Sequence, residues 1–88
     1  MPWRVTHVKP LADYRLDVTF VDGTQGEVDI SKLILSSEAG VFEVLRDINL
    51  FNQVYIEHGA VTWPGEIDLA PDAMYKEIKK HGKWVIEK

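Results

Sequence analysis

Three carboxylates follow a tryptophan closely in residues 63–72, a stretch that also holds two prolines and a glycine. Glu66, Asp68 and Asp72 could supply the acid and base of a hydrolase, which pairs one protonated with one ionised carboxyl group. Asp72, however, lies in the first turn of a predicted helix, where the helix dipole favours it. The other two alternate with apolar residues, as in a short edge strand. We therefore favour the structural interpretation and predict no catalytic residues beside Trp63.

The histidines are too scattered for a metal site. His7, His58 and His81 fall in different predicted elements, and none belongs to a closely spaced histidine pair. The chain has no cysteine, so thiolate ligands and thiol nucleophiles are absent. A nucleophile elbow and a phosphate-binding loop are also missing. The sequence thus predicts a protein that is not an enzyme and that carries no metal and no cofactor.

Tryptophan is abundant, with three residues in a chain of 88. Aromatic side chains fill small cores, and they also anchor protein interfaces. Trp63 is placed opposite Val54 in a predicted hairpin, which favours a core position. Trp84 and Ile86 belong to an apolar C-terminal segment, residues 83–88, which we expect to pack on the body or on a partner. The candidate interaction residues are Trp63, Glu66, Asp68, Trp84 and Ile86.

Charge is unevenly distributed along the chain, whose net charge is −4. Residues 1–73 carry twelve acidic and five basic side chains, and residues 74–88 carry two acidic and five basic ones. Nucleic-acid binding needs clustered basic residues, so the acidic body argues against it. The lysines near the end suit a solvated helix C-terminus better than a phosphate-binding surface. An acidic body favours a basic protein partner.

Length and composition predict one soluble domain spanning residues 1–88. The chain is 45% hydrophobic and 27% charged, which is ordinary for a globular protein. Its N-terminus lacks the pattern of a signal peptide, and no apolar run has the length of a membrane span. We expect a cytoplasmic protein without membrane association.

The first hairpin is predicted at Asp22-Gly23, a pair that suits the positive φ of a tight turn. A two-residue turn would place apolar residues of one strand opposite polar residues of the other. One extra residue corrects this mismatch. We therefore predict a loop of residues 22–24, or a bulge at Gly26, with Leu16 opposite Ile30.

The second hairpin is predicted at His58-Gly59, where a two-residue turn places Ile56 opposite Val61 on the same face. Residues 60–63 form its second strand. The turn itself needs positive φ, which histidine tolerates better than most residues.

Helical segments are predicted in three places. Ser31 can cap a short turn, and residues 41–48 have helical spacing over about two turns. A longer helix begins at Pro71 and is capped by Gly82. The apolar residues that share a face of the second segment are Val41, Phe42, Leu45 and Ile48. Paired strands with helices between and after them predict an α+β fold, in which a small antiparallel sheet built from two hairpins carries two or three short helices on one face.

Four short motifs occur in an order typical of one family. The last is Trp-Pro followed by Asp-Leu-Ala-Pro-Asp-x-x-Tyr. The motifs occupy residues 16–23, 26–30, 42–47 and 63–75. Over about residues 3–75 the chain thereby resembles the bacterial family known as domain of unknown function 2442.

This resemblance implies a small cytoplasmic α+β domain. Some family members add a helix-turn-helix domain, for which this chain is too short, and some are labelled as candidate antitoxins. The family offers no established active site from which a catalytic residue could be inferred. We expect a protein-binding module, the antitoxin-like half of a two-protein pair, with a small protein as partner. The alternative is a regulatory domain that binds a small molecule at residues 63–72.

Overall fold

The computed structural model describes residues 1–87 and confirms the α+β class. Its strands form two sheets, where the sequence suggested one. The strands are β1 (Val5–Leu11), β2 (Arg15–Phe20), β3 (Gln25–Asp29), β4 (Tyr55–Glu57), β5 (Ala60–Trp63), β6 (Ile67–Asp68) and β7 (Lys83–Val85). The helices are α1 (Ser31–Ile34), a 3₁₀ helix (Gly40–Arg46), α2 (Ile48–Phe51) and α3 (Pro71–His81).

The larger sheet has the order β1-β2-β3-β7. Its first three strands are antiparallel, and β7 joins β3 in parallel with Trp84 opposite Val28. The C-terminal segment therefore packs on the body, which is one of the two outcomes expected for it. Lys88, the last residue of the predicted extension, lies outside the described residues.

The register of the first hairpin differs from the prediction. Leu16 lies opposite Val28, two residues away from the expected Ile30. The loop does contain three residues, but they are residues 21–23, because Phe20 donates its N–H to the carbonyl of Thr24 at 2.7 Å. Gly23, at φ +89°, supplies the left-handed residue that such a loop needs. The expected extra residue is therefore present, but it lies before the glycine.

The smaller sheet has the order β4-β5-β6 and is antiparallel. Ile56 lies opposite Val61, as predicted. His58 and Gly59 both have positive φ, at +52° and +77°, which confirms the tight turn. The two sheets meet at the start of β1, where the Val5 N–H donates to the Gly59 carbonyl at 2.9 Å.

Ser31 does not cap α1, contrary to expectation. It is the first residue of that helix, and no side chain caps the preceding residue. Both the N–H and the hydroxyl of Ser31 donate to one carboxylate oxygen of Asp29, at 3.0 and 2.7 Å. The carboxylate at the end of β3 thus fixes the point at which strand becomes helix.

The segment predicted as one helix over residues 41–48 is a 3₁₀ helix followed by α2. The change of helix type alters which residues face the core. With three residues per turn, residues three apart lie above one another. Phe42 and Leu45 face inward, whereas Val41 and Val44 face solvent. The prediction that Val41 and Ile48 share the inward face is therefore wrong.

Helix α3 begins and ends as predicted. Pro71 opens it, and Gly82 closes it in the left-handed conformation with its N–H bonded to the Ile78 carbonyl at 2.7 Å. Met74 and Ile78 are buried. Gly26 in β3 allows the end of α3 to pack closely, because a Cβ at that glycine would lie 2.6 Å from the Gly82 carbonyl oxygen.

Aromatic side chains connect the two sheets. The Phe51 ring of α2 packs edge-on against Tyr14 at 5.4 Å between centroids and, in a tilted arrangement, against Trp63 at 5.8 Å. Tyr14 lies in the turn between β1 and β2, and its hydroxyl donates to the Arg46 carbonyl at 2.6 Å. Helix α2 is thereby held between the sheets.

Candidate functional site

Trp63 belongs to the core. Its side chain has no exposed surface, and its indole N–H donates to the Phe51 carbonyl at 2.9 Å. The polar end of the indole is therefore satisfied inside the protein, as buried tryptophans require. A side chain in this position presents nothing to a partner.

The three carboxylates that follow Trp63 are exposed. Glu66 lies in the turn between β5 and β6 with φ +63°, and Asp68 lies in β6 opposite Thr62. Asp72 lies in the first turn of α3, where its carboxylate accepts the Ala73 N–H at 2.9 Å. Ligand sites are usually concave and largely apolar, and these carboxylates are exposed on a turn, a strand and a helix, so a small-molecule site at residues 63–72 stays a prediction.

Tyr75 is the last residue of the motif that begins with Trp63-Pro64, and it contacts Asp22 in the loop of the first hairpin. Its hydroxyl donates to the Asp22 carboxylate at 2.6 Å, although the two residues are 53 positions apart. This hydrogen bond and the one from the Thr24 N–H lower the pKa of Asp22 to about 2. The bond to Asp22 raises the pKa of Tyr75. Two family motifs thus meet in a link that ties α3 to the first hairpin.

Trp84 lies in β7 of the larger sheet, and Ile86 directly follows that strand, so both are separated from the carboxylates along the chain. Both are half-buried and pack against the core, and the Ile86 N–H donates to the Asp29 carbonyl at 2.9 Å. The structure thus places Trp63, Glu66 and Asp68 in or beside the smaller sheet, and Trp84 and Ile86 in or beside the larger one. The contact role of Glu66, Asp68, Trp84 and Ile86 remains a prediction.

Within residues 1–87, no three acidic or histidine side chains come together in a group that could hold a metal ion. None of the helices in this part of the chain has both the length and the apolar character needed to cross a bilayer.

A different surface is left apolar. Four large apolar side chains in residues 35–48 are substantially exposed, and we call them the apolar patch. They are Leu35 (60% exposed), Val41 (68%), Val44 (51%) and Ile48 (44%). Val41 and Val44 share one side of the 3₁₀ helix, Ile48 begins α2, and Leu35 directly follows α1, which packs against the 3₁₀ helix. Single exposed apolar residues are common, but a group in one segment is typical of an interaction site.

The charges around the apolar patch are predominantly acidic. Glu38, Glu43 and Asp47 are exposed in the same segment. Its one arginine, Arg46, is engaged by the protein, because its guanidinium donates to the Ile34 carbonyl at 2.8 Å and the Ser36 carbonyl at 3.0 Å. A further bond joins Arg46 to Glu43 at 3.3 Å. The patch is therefore an apolar surface with an acidic rim.

Sequence reasoning missed this patch because it assumed α-helical periodicity. With 3.6 residues per turn, Val41 shares a face with Leu45, four residues further on, whereas three residues per turn align Leu45 with Phe42 and Val41 with Val44. The available signal was the pair of valines three residues apart, Val41 and Val44, which a period of three places on the same side.

A family model described as "Protein of unknown function (DUF2442)" matches residues 5–80 of the chain. No match is found among curated proteins or among solved structures.

Proposed function

Because the chain belongs to the DUF2442 family, whose function is unknown, we propose from its surface that it is a small, cytoplasmic, non-enzymatic protein-binding module. The observation that supports this proposal is the apolar patch. Its four side chains are exposed by 44–68%. Covering apolar surface gains roughly 25 cal/mol per Å² removed from water, so a partner would gain by burying them.

The acidic rim specifies the chemistry of the partner. Glu38, Glu43 and Asp47 place three acidic side chains in the same segment as the patch, and Arg46 donates to backbone carbonyls and pairs with Glu43. The partner that fits is a protein with an apolar strip flanked by lysine or arginine, because complementary charge speeds encounter and excludes acidic competitors. The acidic surface of residues 1–73 extends the same preference beyond the patch.

The finer proposal is an antitoxin-like role in a two-protein pair. A basic protein that acts on nucleic acid uses its positive surface for binding phosphate. An acidic module that occupies this surface would block it by competition. The fitting assay is co-expression with the partner, in which the module relieves growth inhibition and the patch variant does not.

The test of the binding proposal is affinity purification from the native host, followed by reconstitution from purified proteins. The bait is the wild-type chain or a V41K/V44K variant, which places like charge where a basic partner would dock. We expect a stoichiometric partner that binds the wild type and is lost with the variant. We also expect its affinity to fall as ionic strength rises.

The matched control is Val21→Lys, which also places a lysine at an exposed valine (55%) but lies in the first hairpin loop, outside the patch. The Val21→Lys bait should still capture the partner. Equal loss with both baits would show that added charge, and not the patch, decides capture. Concentration-dependent dimerisation of the wild type that V41K/V44K abolishes would identify a second copy of the chain as the occupant and overturn the proposal of a basic partner.

A further inference from the structure

A cleft lined by residues outside the apolar patch lies where the N-terminal segment meets the turn between β4 and β5 and the start of α3. Its volume is about 250 Å³. It is lined by Met1, Trp3, Arg4, His58, Gly59 and Pro71. None of these lining residues is acidic, although the chain has fourteen acidic side chains and ten basic ones. The cleft is thus a basic site on an acidic protein.

Arg4 differs from the other two arginines in what its guanidinium contacts. Arg15 is paired with Glu27 at 3.1 Å, and Arg46 bonds to two carbonyls and to Glu43. No carboxylate of residues 1–87 lies within ion-pair distance of Arg4. Arginine presents a planar set of donors that matches a carboxylate or a phosphate. Arg4 is therefore the arginine available to an external anion.

The backbone holds Arg4 in place at this cleft. Its carbonyl accepts the Val21 N–H at 2.8 Å, and the next residue, Val5, donates to the Gly59 carbonyl at 2.9 Å. Its aliphatic stem packs against Gly59, since a Cβ at that glycine would collide with the Arg4 Cγ. A side chain positioned before its ligand arrives loses less conformational entropy on binding.

Two further side chains define what the cleft accepts. His58 lines the cleft from the turn and can offer an imidazole, and the half-buried Trp3 lines it with an aromatic side chain. The volume is below the range of about 300–1,000 Å³ that is usual for drug-sized ligands, which limits the occupant to a small molecule. We propose that this cleft binds a small organic anion, a carboxylate or phosphate attached to a flat ring, with the anion on Arg4 and the ring against Trp3. The site is separate from the apolar patch and does not rest on the protein-binding proposal.

The experiment is an NMR titration of the ¹⁵N-labelled full chain with phenyl phosphate and with benzoate. Inorganic phosphate tests the charge alone, and benzyl alcohol tests the ring alone. We expect saturable shifts confined to the Trp3 indole, the Gly59 amide and their neighbours. Both aromatic anions should bind more tightly than inorganic phosphate, and benzyl alcohol should not saturate.

Arg4→Met removes the guanidinium but keeps an unbranched stem against Gly59. It should weaken phenyl phosphate binding by about tenfold or more, the size of a lost charge-assisted hydrogen bond. Lys76→Met, which removes an exposed charge from α3, is the matched control and should change the affinity by less than about twofold. An unchanged amide spectrum away from the cleft shows that each variant is folded.

Three results would overturn the proposal. These are shifts scattered over many basic residues, equal weakening by the two variants, and inorganic phosphate binding as tightly as phenyl phosphate. The first two would indicate non-specific charge attraction, and the third would remove the role of Trp3.

Discussion

Strand β2 buries all three of its apolar side chains, whereas residues 35–48 leave four of theirs exposed. The residue types are similar, since both regions use valine and leucine. The regions differ in backbone period: in β2 every second residue faces the core, and in the 3₁₀ helix every third residue does so. Apolar residues of β2 therefore stabilise the fold, while those of the apolar patch remain available to another molecule.

The largest effect should come from removing a fully buried ring, in contrast to an exposed side chain of the apolar patch. Phe51→Ala leaves a cavity between Tyr14 and Trp63, and we expect a loss of about 3–5 kcal/mol in the free energy of unfolding. Urea denaturation followed by tryptophan fluorescence measures it. Val44→Ala in the patch is the control and should cost less than about 0.5 kcal/mol. Comparable losses in the two variants would mean that the apolar patch contributes to the folded core as much as a buried ring does.

A smaller effect is expected from crowding the contact between β3 and α3. Gly26→Ala introduces a Cβ whose nearest neighbours would be the Gly82 carbonyl oxygen and the Ile78 side chain, each at 2.6 Å. We expect destabilisation by about 1–3 kcal/mol, as for other overpacked sites. A double-mutant cycle with Ile78→Ala checks the cause, because relief of the clash makes the two losses less than additive. Strict additivity would contradict a clash with Ile78.

The link between Asp22 and Tyr75 predicts a pH dependence. The pKa of Asp22 is lowered from its ordinary 3.8 to about 2, so the folded chain binds this proton more weakly than the unfolded chain. The resulting stability is complete above the ordinary pKa and is lost as the pH falls towards 2. Tyr75→Phe should raise the Asp22 pKa towards 3.8, as measured by NMR titration of the carboxyl carbon. An unshifted Asp22 pKa in that variant would show that the Tyr75 hydroxyl is not its cause.

The smallest effect on stability is expected in the apolar patch. Val41→Lys places a charge on a side chain that is already 68% exposed, so the free energy of unfolding should change by no more than about 0.5 kcal/mol. Thermal unfolding by circular dichroism measures this. A large loss would mean that Val41 contributes to the core and would weaken the case for a binding role.

Features governed by local chemistry could be predicted from the sequence. Pro71 and Gly82 mark the ends of α3 because proline suits the first helical position and glycine the left-handed cap. His58-Gly59 gives a tight turn for a similar reason. In each case neighbouring residues contain the full physical cause.

Features that depend on distant residues could not be predicted in the same way. The pairing of β7 with β3 and the bond between Tyr75 and Asp22 join parts of the chain that are more than fifty residues apart. The register of the first hairpin differed from the predicted register by two residues, because a single glycine is compatible with several loop lengths. For the candidate site, the acidic surface was evident in the composition, but the exposed face depended on a 3₁₀ rather than an α-helical period.

The parallel strand β7 has one more consequence, for self-association. Without it, β3 would be an edge strand with unpaired N–H and carbonyl groups, and such an edge is a template for pairing with other chains. Strand β7, Lys83–Val85, covers that edge together with the Ile86 N–H, and a lysine begins the strand. Loss of this short segment would therefore expose β3 to pairing with other chains and lower the solubility of the protein. Strand β7 thus protects the protein against aggregation by covering an edge strand.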